Sequence, residues 1–223
     1  MKHIYLIRHG ESIQNVGINE KLRIPDHAIT LTDNGHIQAE AMAKWMEQKL
    51  RNIDTASRAA LWISPYKRTE QTAKHLTDRV SFKSVKRDDM LTELQFGIFD
   101  SIPKDRIKEI FPIEWEAFQN NRRFNGKFYA RRPGGESPFD CEIRQKLFID
   151  TLFRDFDKHP EIDTIVIVGH GAALTCLRKA MFHHSYEWYE AEPNPGNCSI
   201  VRLVLDNGDN TDEGYIYGGP AEK

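Results

Sequence analysis

The sequence predicts an α/β fold in which a mostly parallel central sheet carries helices on both faces. Short apolar runs rich in β-branched residues recur along the chain, and each is followed by a turn and a longer segment of helical character. Strands that alternate with helices in this way form mostly parallel sheets covered on both sides. The 223 residues contain no repeat and no linker-like tract, so we expect one domain covering residues 1–223.

The first strand and helix are expected near the N-terminus. Ile4–Ile7 has the composition of a buried strand, and Gly10 follows it as a turn signal. Residues 17–31 are predicted to form a loop. Thr32 has the residue type of a helix N-cap, and the helix expected after it carries an apolar stripe formed by Met42, Trp45, Met46 and Leu50.

The second strand is predicted at Ala60–Ile63. Ser64 is expected to cap the next helix and Pro65 to occupy its first position, so this helix should run from Tyr66 to about Leu76.

The third clear strand is predicted at Thr164–Val168. After Gly169-His170-Gly171, a helix rich in Ala and Leu should extend to about Phe182. Residues 97–160 are expected to be mainly helical, with an irregular segment at Arg131–Ser137. The predicted fold ends with a strand, a turn and a short strand, at Ser199–Leu205, Asn207-Gly208 and Glu213–Tyr217.

Composition and charge argue against several classes of function. The net charge of -2 with neutral histidines gives no reason to expect nucleic-acid binding. No apolar run approaches the length of a membrane span or a secretory signal, so we expect no membrane partner. The three cysteines are odd in number and lack CxxC spacing, which disfavours a disulfide framework. We therefore expect a cytoplasmic protein, and no pattern indicates an oligomeric state.

Polar groups follow three of the predicted strands. Arg8 and His9 follow the first strand, Ser64 to Arg68 follow the second, and Gly169-His170 follow the third. In open α/β sheets, ligands bind beyond the carboxyl ends of the strands. We therefore expect these sequence-distant groups to meet at one edge of the sheet.

The residue types at this edge indicate a phosphate site. Arginine presents a planar fork that matches phosphate oxygens, and the helices starting after Ser64 and Gly171 would direct backbone N–H groups toward the same place. A neutral imidazole is a competent nucleophile at phosphorus near pH 7. Nearby cations would neutralise the phosphoryl oxygens that otherwise repel this attack. Since arginine and histidine supply that charge, we expect neither a metal nor another cofactor.

Six short motifs spread over nearly the whole chain have a recognisable order. They are Arg8-His9-Gly10-Glu11-Ser12 with Asn15, Leu31-Thr32 with Gly35, Gln38 and Ala39, Ser64-Pro65 with Arg68-Thr69 and Gln71-Thr72-Ala73, Glu93 with Phe96-Gly97, Gly134-Gly135-Glu136-Ser137, and Val168-Gly169-His170-Gly171. Together they resemble the signatures of the histidine phosphatase superfamily, phosphatase branch, which implies a phosphoglycerate mutase-like fold. One such motif alone is a weak pattern, but six in order are specific.

The resemblance implies catalytic roles for five matching residues. His9 would be the nucleophile that carries the phosphoryl group. Arg8, Arg68 and His170 would bind and polarise that group. Glu93 would give a proton to the leaving group and then act as the base for water.

Contacts to the substrate are expected from further residues. Asn15, Ser12 and Gly171 belong to the matching motifs, although Asn15 can equally serve as a turn residue. Arg131 and Arg132 end a basic cluster that also contains Arg122, Arg123 and Lys127. Such a cluster is commonly a solvated face, but it can also bind a second anionic group of the substrate.

Several alternatives stay open at the level of the sequence. Asp88 and Asp89 lie near Glu93 and can replace it as the acid. The pair His183-His184 looks like a metal site only superficially, because adjacent helical residues point in different directions, and we expect it on the surface. No catalytic role is assigned to Glu11.

Three functions are compatible with these observations. The first is a phosphatase acting on a small phosphorylated metabolite, the second is a phosphoglycerate mutase, and the third is an inactive phospho-ligand binding module. The stretch from Glu93 to Gly97 lacks the ELNERxYG extension of the family's mutases. Binding alone needs neither a nucleophile nor an acid, so the complete set favours the phosphatase. The residues that would contact the rest of the substrate lie in loops with no recognisable code.

Overall fold

Six strands form a single sheet in the computed structural model, which describes residues 1–18, 24–206 and 208–221. Their order across the sheet is β3-β2-β4-β1-β5-β6. The first four of these run parallel to one another, whereas β5 and β6 are antiparallel to their neighbours. The strands are β1 (Lys2–Arg8), β2 (Ala59–Ile63), β3 (Ser84–Arg87), β4 (Thr164–Gly169), β5 (Ile200–Leu205) and β6 (Thr211–Tyr217). The predicted, mostly parallel α/β sheet is confirmed.

Eight α-helices connect and cover these strands within the described ranges. They are α1 (Asp33–Leu50), α2 (Thr55–Arg58), α3 (Lys67–Thr77), α4 (Lys104–Ile110), α5 (Pro112–Tyr129), α6 (Pro138–Lys158), α7 (Gly171–Phe182) and α8 (Tyr186–Ala191). Three short 3₁₀ helices lie at Asp26–Ala28, Asp89–Leu91 and Gly97–Phe99. No helix in this part of the chain has the length and apolar character needed to cross a membrane.

The two faces of the sheet have separate cores because side chains alternate along each strand. On β1, Ile4 and Leu6 belong to one core, whereas Tyr5 and Ile7 belong to the other. Helices α6 and α7 cover the first face, and α1 and α3 cover the second. They contribute Phe148, Leu152, Leu174 and Leu177 to the first core, and Met42, Met46, Ala73 and Leu76 to the second. Helices therefore lie on both faces, as predicted.

A smaller apolar cluster joins α4, α5 and the segment that follows α5. Phe99, Ile107, Phe118 and Ala130 are all buried in it. The rings of Phe99 and Phe118 meet edge to face, with centroids 5.7 Å apart, a favourable aromatic geometry. This cluster anchors the part of the chain that carries the basic cluster.

Of the two predicted helix caps, one is confirmed and one is not. Thr32 caps α1 by accepting a hydrogen bond from the Gly35 N–H. The predicted cap at Ser64 and the predicted first helical position at Pro65 are wrong, because α3 begins at Lys67 and Tyr66 occupies the N-cap position without a side-chain cap. The Ser64 hydroxyl is instead 2.8 Å from Nε2 of His170.

The edge strand β3 was not predicted from the sequence. It has four residues, Ser84–Arg87, of which only Val85 is apolar, so it lacks the continuous apolar pattern of the central strands. Asn207, in the predicted turn before β6, lies outside the described residues, and β6 begins two residues earlier than expected.

Candidate active site

The ends of β2, β4 and β1 bring the predicted polar groups together. These three strands are neighbours and parallel, so their carboxyl ends meet at one edge. Arg8 pairs in register with Gly169, and Ile63 pairs with Val168. His9 and His170 each follow directly, and their rings lie edge to face with centroids 5.2 Å apart.

His9 is almost completely buried, with 3% of its surface exposed. Its Nδ1 lies 2.7 Å from the carbonyl oxygen of Gly10. A carbonyl can only accept, so Nδ1 carries the hydrogen and Nε2 keeps its lone pair. Burial lowers the pKa of His9 well below 6.5, and Arg68 and Arg8 lower it further. His9 is therefore a neutral imidazole at pH 7 with one nitrogen available for attack.

His170 is fully buried at the start of α7. Burial lowers the pKa of His170 well below 6.5, and the nearby Arg68 adds to that effect. When the Ser64 hydroxyl donates to Nε2 of His170, the hydrogen of the neutral ring lies on Nδ1. That Nδ1 has no hydrogen-bond partner among the described residues. It is a buried donor available to a phosphoryl oxygen.

Arg8 ends β1 beside the first turn of α7. Its Nη1 donates to the carbonyl oxygen of Pro195 at 2.6 Å, while its Nε has no partner within the described ranges. A Cβ on Gly171 would lie 3.5 Å from that Nε, so the guanidinium is adjacent to the positive end of the helix. Two cationic features therefore face the same small volume, which favours an anion there.

Arg68 lies in the first turn of α3 and is 2% exposed. Its Nη1 donates to the backbone oxygen of Asp26 at 2.6 Å and is 2.9 Å from the Asp26 carboxylate. The guanidinium also lies over the Tyr66 ring, 5.0 Å from the centroid. One end of the guanidinium is thus held by Asp26, at the start of the 3₁₀ helix before α1. No sequence pattern pointed to Asp26, which is 42 residues away.

Glu93 follows the second 3₁₀ helix and approaches α7. Its Oε1 accepts hydrogen bonds from the backbone N–H of Leu94 at 2.8 Å and of Ala173 at 3.1 Å. Ala173 lies in the first turn of the helix that His170 caps. The alternative Asp88 accepts from the Met90 N–H and caps the 3₁₀ helix, and Asp89 is exposed.

Asn15 and Ser12 form a turn behind His9. Asn15 Oδ1 accepts from the backbone N–H and the hydroxyl of Ser12, at 3.0 and 3.1 Å. It also accepts from Asn197 Nδ2 at 3.2 Å, and that amide donates to the carbonyl oxygen of His9 at 3.1 Å. Asn197 was not predicted, because no motif pointed to the loop before β5.

Close backbone packing supports the loop after β1. A Cβ on Gly10 would lie 2.6 Å from the carbonyl oxygen of Gly35, so a side chain there is excluded. The Gly10 N–H donates to Thr72 Oγ1 at 3.1 Å. Glu11 accepts from the Thr32 hydroxyl at 2.7 Å. These contacts fix the backbone that carries His9 against α1 and α3.

The structure separates the two arginines, Arg131 and Arg132, that were predicted to contact the substrate. Arg131 is exposed and paired with Asp140, its Nε 3.0 Å from Oδ2. Arg132 is half-buried, with its guanidinium 4.4 Å from the centroid of the Phe96 ring. Burial lowers the pKa of Arg132, and the charge of Glu93 partly opposes this shift. Arg132 therefore packs on Phe96 of the segment that follows Glu93, whereas Arg131 is held by Asp140.

The other titratable candidates lie away from this site. His183 is exposed at the C-terminal end of α7 and adopts a left-handed backbone conformation, φ 52°. His184 stacks on Trp188 with ring centroids 4.1 Å apart. Over the residues that the structure describes, no group of three or more potential ligands is arranged to hold a metal ion.

Buried His9 and His170, with two arginines and the Glu93 carboxylate at the edge of a mostly parallel α/β sheet, form an arrangement suited to binding and transferring a phosphoryl group. Residues 4–215 match the model of the histidine phosphatase superfamily, branch 1. The chain belongs to this superfamily.

Individual relatives agree with this assignment. The chain is 31% identical over 218 residues to phosphoglycerate mutase-like protein AT74 of Arabidopsis thaliana, covering 93% of this chain and 66% of that protein. It is 32% identical over 177 residues to fructose-2,6-bisphosphatase of Saccharomyces cerevisiae, covering 79% of this chain and 33% of that protein. The chain thus spans about two thirds of one curated relative and one third of the other.

Solved structures support the fold. The alpha-ribazole phosphatase of Shigella flexneri superimposes with a TM-score of 0.72 at 18% sequence identity, covering 99% of each chain.

Proposed function

We propose that this chain is a metal-independent phosphomonoester hydrolase that acts through a phosphohistidine on His9, with a small phosphorylated metabolite as substrate. The observation that carries the proposal is the hydrogen bond from Nδ1 of His9 to the Gly10 carbonyl oxygen. It leaves Nε2 unprotonated in a site with two arginines. A binding module has no need for a neutral, oriented imidazole, whereas a nucleophile requires one.

In the first chemical step, Nε2 of His9 attacks phosphorus as the bond to the leaving oxygen breaks. Arg8, Arg68 and the Nδ1–H of His170 stabilise the charge on the phosphoryl oxygens. Glu93 in its protonated form gives its proton to the leaving oxygen, so the departing product is a neutral alcohol. The products of this step are the alcohol and a phosphohistidine with Glu93 as a carboxylate.

In the second step, water attacks the phosphohistidine. The Glu93 carboxylate accepts a proton from that water, and the P–N bond breaks with its electron pair returning to Nε2. Inorganic phosphate leaves, and both His9 and protonated Glu93 are restored. Glu93 is suited to both steps because its Oε1 is fixed by two backbone N–H groups, and no hydrogen bond to its Oε2 is found in the described parts of the chain.

The proposal includes a second anion subsite formed by basic residues of the cluster. Arg122, Lys127 and Arg132 each lie over an aromatic ring, at 5.9, 5.2 and 4.4 Å. Within the described ranges, none of the three has a carboxylate within ion-pair distance. Burial lowers the pKa of Lys127 and the charge of Arg122 lowers it further, whereas the charge of Glu190 opposes this shift. Three neighbouring cations with no carboxylate at ion-pair distance favour a substrate with a second anionic group.

Of the two predicted arginines, Arg132 is therefore the one that we assign to this subsite. Arg131 already has its charge neutralised by Asp140. Asn15 and Ser12 are proposed to act on the substrate through the His9 loop, and Gly171 through the backbone N–H groups at the start of α7. The free, buried cysteines fit the proposed cytoplasmic location.

Released phosphate distinguishes the candidate functions. We expect the chain to hydrolyse nitrophenyl phosphate and small phosphorylated metabolites at the same rate with and without EDTA. The mutase alternative has support in the similarity to a mutase-like relative, and it requires conversion of one phosphoglycerate isomer into the other. Isomerisation faster than phosphate release would overturn the phosphatase proposal. Activity lost in EDTA and restored by a divalent cation would overturn metal independence.

A further inference from the structure

The main chain around Glu93 has little regular structure of its own. The 3₁₀ helix before it ends at Leu91, and the next one begins only at Gly97. A carboxyl group that must meet the leaving oxygen needs a fixed backbone, since misplacement by about 1 Å costs about a hundredfold in rate. The residues that hold this segment should therefore affect proton transfer by Glu93.

Arg144 of α6 holds one side of the segment. Its side chain is 14% exposed. Its Nη1 donates to the backbone oxygen of Met90 and to that of Thr92, the latter at 3.0 Å, and its Nη2 is 3.4 Å from the backbone oxygen of Glu93. One guanidinium thus contacts three carbonyl groups within four residues.

Glu136 joins Arg144 to the other side of the segment. Its two carboxylate oxygens accept from Nε and Nη2 of Arg144, at 3.1 and 3.0 Å. The same Glu136 Oε2 accepts from the backbone N–H of Gln95 at 3.0 Å, and the Glu136 N–H donates to the Gln95 oxygen at 2.9 Å. A two-point ion pair therefore clamps the backbone before and after Glu93.

We propose that Arg144 and Glu136 are positioning residues that fix Glu93 for proton transfer. This inference rests on the proposed role of Glu93 as acid and base. Arg144 acts through its planar fork, because only a fork can bind a carboxylate at two points and still contact carbonyl groups. A lysine at the same place keeps the charge but loses most of these contacts.

A positioning role for the Arg144–Glu136 ion pair and a purely stabilising role predict different effects when the pair is lost. Proton donation matters most when the leaving group is a poor one, such as an alkoxide, and least for nitrophenolate. A displaced Glu93 should therefore slow alkyl phosphates selectively. General loss of folded protein would slow both substrates alike.

The experiment compares Arg144→Gln with Glu93→Gln on an alkyl phosphate and on nitrophenyl phosphate. Glu93→Gln should lower kcat/KM for the alkyl phosphate by about a hundredfold or more. Arg144→Gln should lower it by at least about tenfold, and change the value for nitrophenyl phosphate by less than about threefold. In the Glu93→Gln background, Arg144→Gln should cost little more, because the two residues act on one step. Glu136→Gln should resemble Arg144→Gln.

Arg178→Gln is the matched control. Arg178 is equally internal, with its side chain 7% exposed and ion pairs to Glu192 and Asp212, but it contacts no part of the Glu93 segment. It should show no preference between the two substrates. If Arg144→Gln folds poorly, Arg144→Lys and Glu136→Gln give the same comparison.

The outcomes separate the two proposals. If Glu93→Gln affects both substrates equally, the acid role fails and the positioning role fails with it. If Glu93→Gln is selective but Arg144→Gln and Glu136→Gln are not, or if their effects add to that of Glu93→Gln, only the positioning role is overturned.

Discussion

At the scale of single residues, the state of His9 depends on its immediate neighbour. The Gly10 carbonyl fixes the position of the hydrogen, and burial with two arginines keeps the ring neutral. In the proposed mechanism, His9 is therefore a nucleophile at neutral pH without a separate base. The same cations that disfavour a protonated ring would favour a bound phosphate, so one set of charges would prepare both the nucleophile and the substrate.

The second anion subsite gives a prediction at this scale. Arg132→Ala should raise KM for a substrate with two anionic groups by about tenfold, which corresponds to a lost charge-assisted hydrogen bond of about 1.4 kcal/mol. The effect should shrink in high salt, because screening weakens the attraction. Its kcat/KM for nitrophenyl phosphate should stay near the wild-type value.

Arg131→Ala is the control, since its guanidinium is exposed and paired with Asp140. It should leave both substrates unaffected. Equal responses to the two changes, or an equal loss on the substrate with a single anionic group, would identify the cluster as an ordinary solvated surface.

At the scale of elements, the helices act as rigid supports for single functional groups. Helix α7 presents its N-terminal turn to Glu93 and Arg8, α3 carries Arg68, and α6 carries Arg144. A capping box starts α6: Ser137 accepts from the Asp140 N–H, and Asp140 accepts from the Ser137 N–H. Ser137 directly follows Glu136, so the cap fixes the start of α6 next to the residue that pairs with Arg144.

We expect Ser137→Ala to lower the free energy of unfolding by about 1 kcal/mol, because it removes one of the two capping bonds of a long helix. Urea unfolding followed by circular dichroism measures this change. Ser185→Ala is the comparison, since Ser185 is exposed and caps the six-residue α8. If Ser185→Ala lowers the free energy of unfolding as much as Ser137→Ala does, the capping box adds no stability beyond that of a single side-chain cap.

Elements that carry a local pattern of apolar residues could be predicted from the sequence. Central strands such as Thr164–Gly169 are continuous apolar runs, and the parallel arrangement alone brings Arg8, His9 and His170 to one edge. Partners that depend on tertiary contact were not predictable. Asp26 reaches the site from a short 3₁₀ helix and Asn197 from a loop, both without a periodic sequence pattern. Ser64 contacts His170 instead of capping a helix.

At the scale of the whole molecule, two buried neutral histidines make stability depend on pH. His9 and His170 have folded pKa values well below 6.5, so the unfolded chain binds more protons than the folded one as the pH falls below about 6.5. Stability must therefore decrease in that direction. Each histidine contributes a slope of up to about 1.4 kcal/mol per pH unit between its folded pKa and the unfolded value.

Urea unfolding at pH 7, 6 and 5 tests this dependence. His9→Asn should lose stability less steeply than the wild type, by up to about 1.4 kcal/mol per pH unit. The difference reports His9 together with its effect on His170, because His9 also lowers the pKa of that histidine. Identical slopes for the two proteins would contradict a neutral, buried His9.

The central claim is that the phosphoryl group passes through Nε2 of His9. The most direct measurement is to mix the enzyme with phosphate-labelled substrate, quench it in denaturant at alkaline pH, and map the labelled peptide by mass spectrometry. We predict an acid-labile phosphate on His9 in the wild type and none in a folded His9→Asn protein. Labelling of another residue, or undiminished turnover by His9→Asn, would contradict the account.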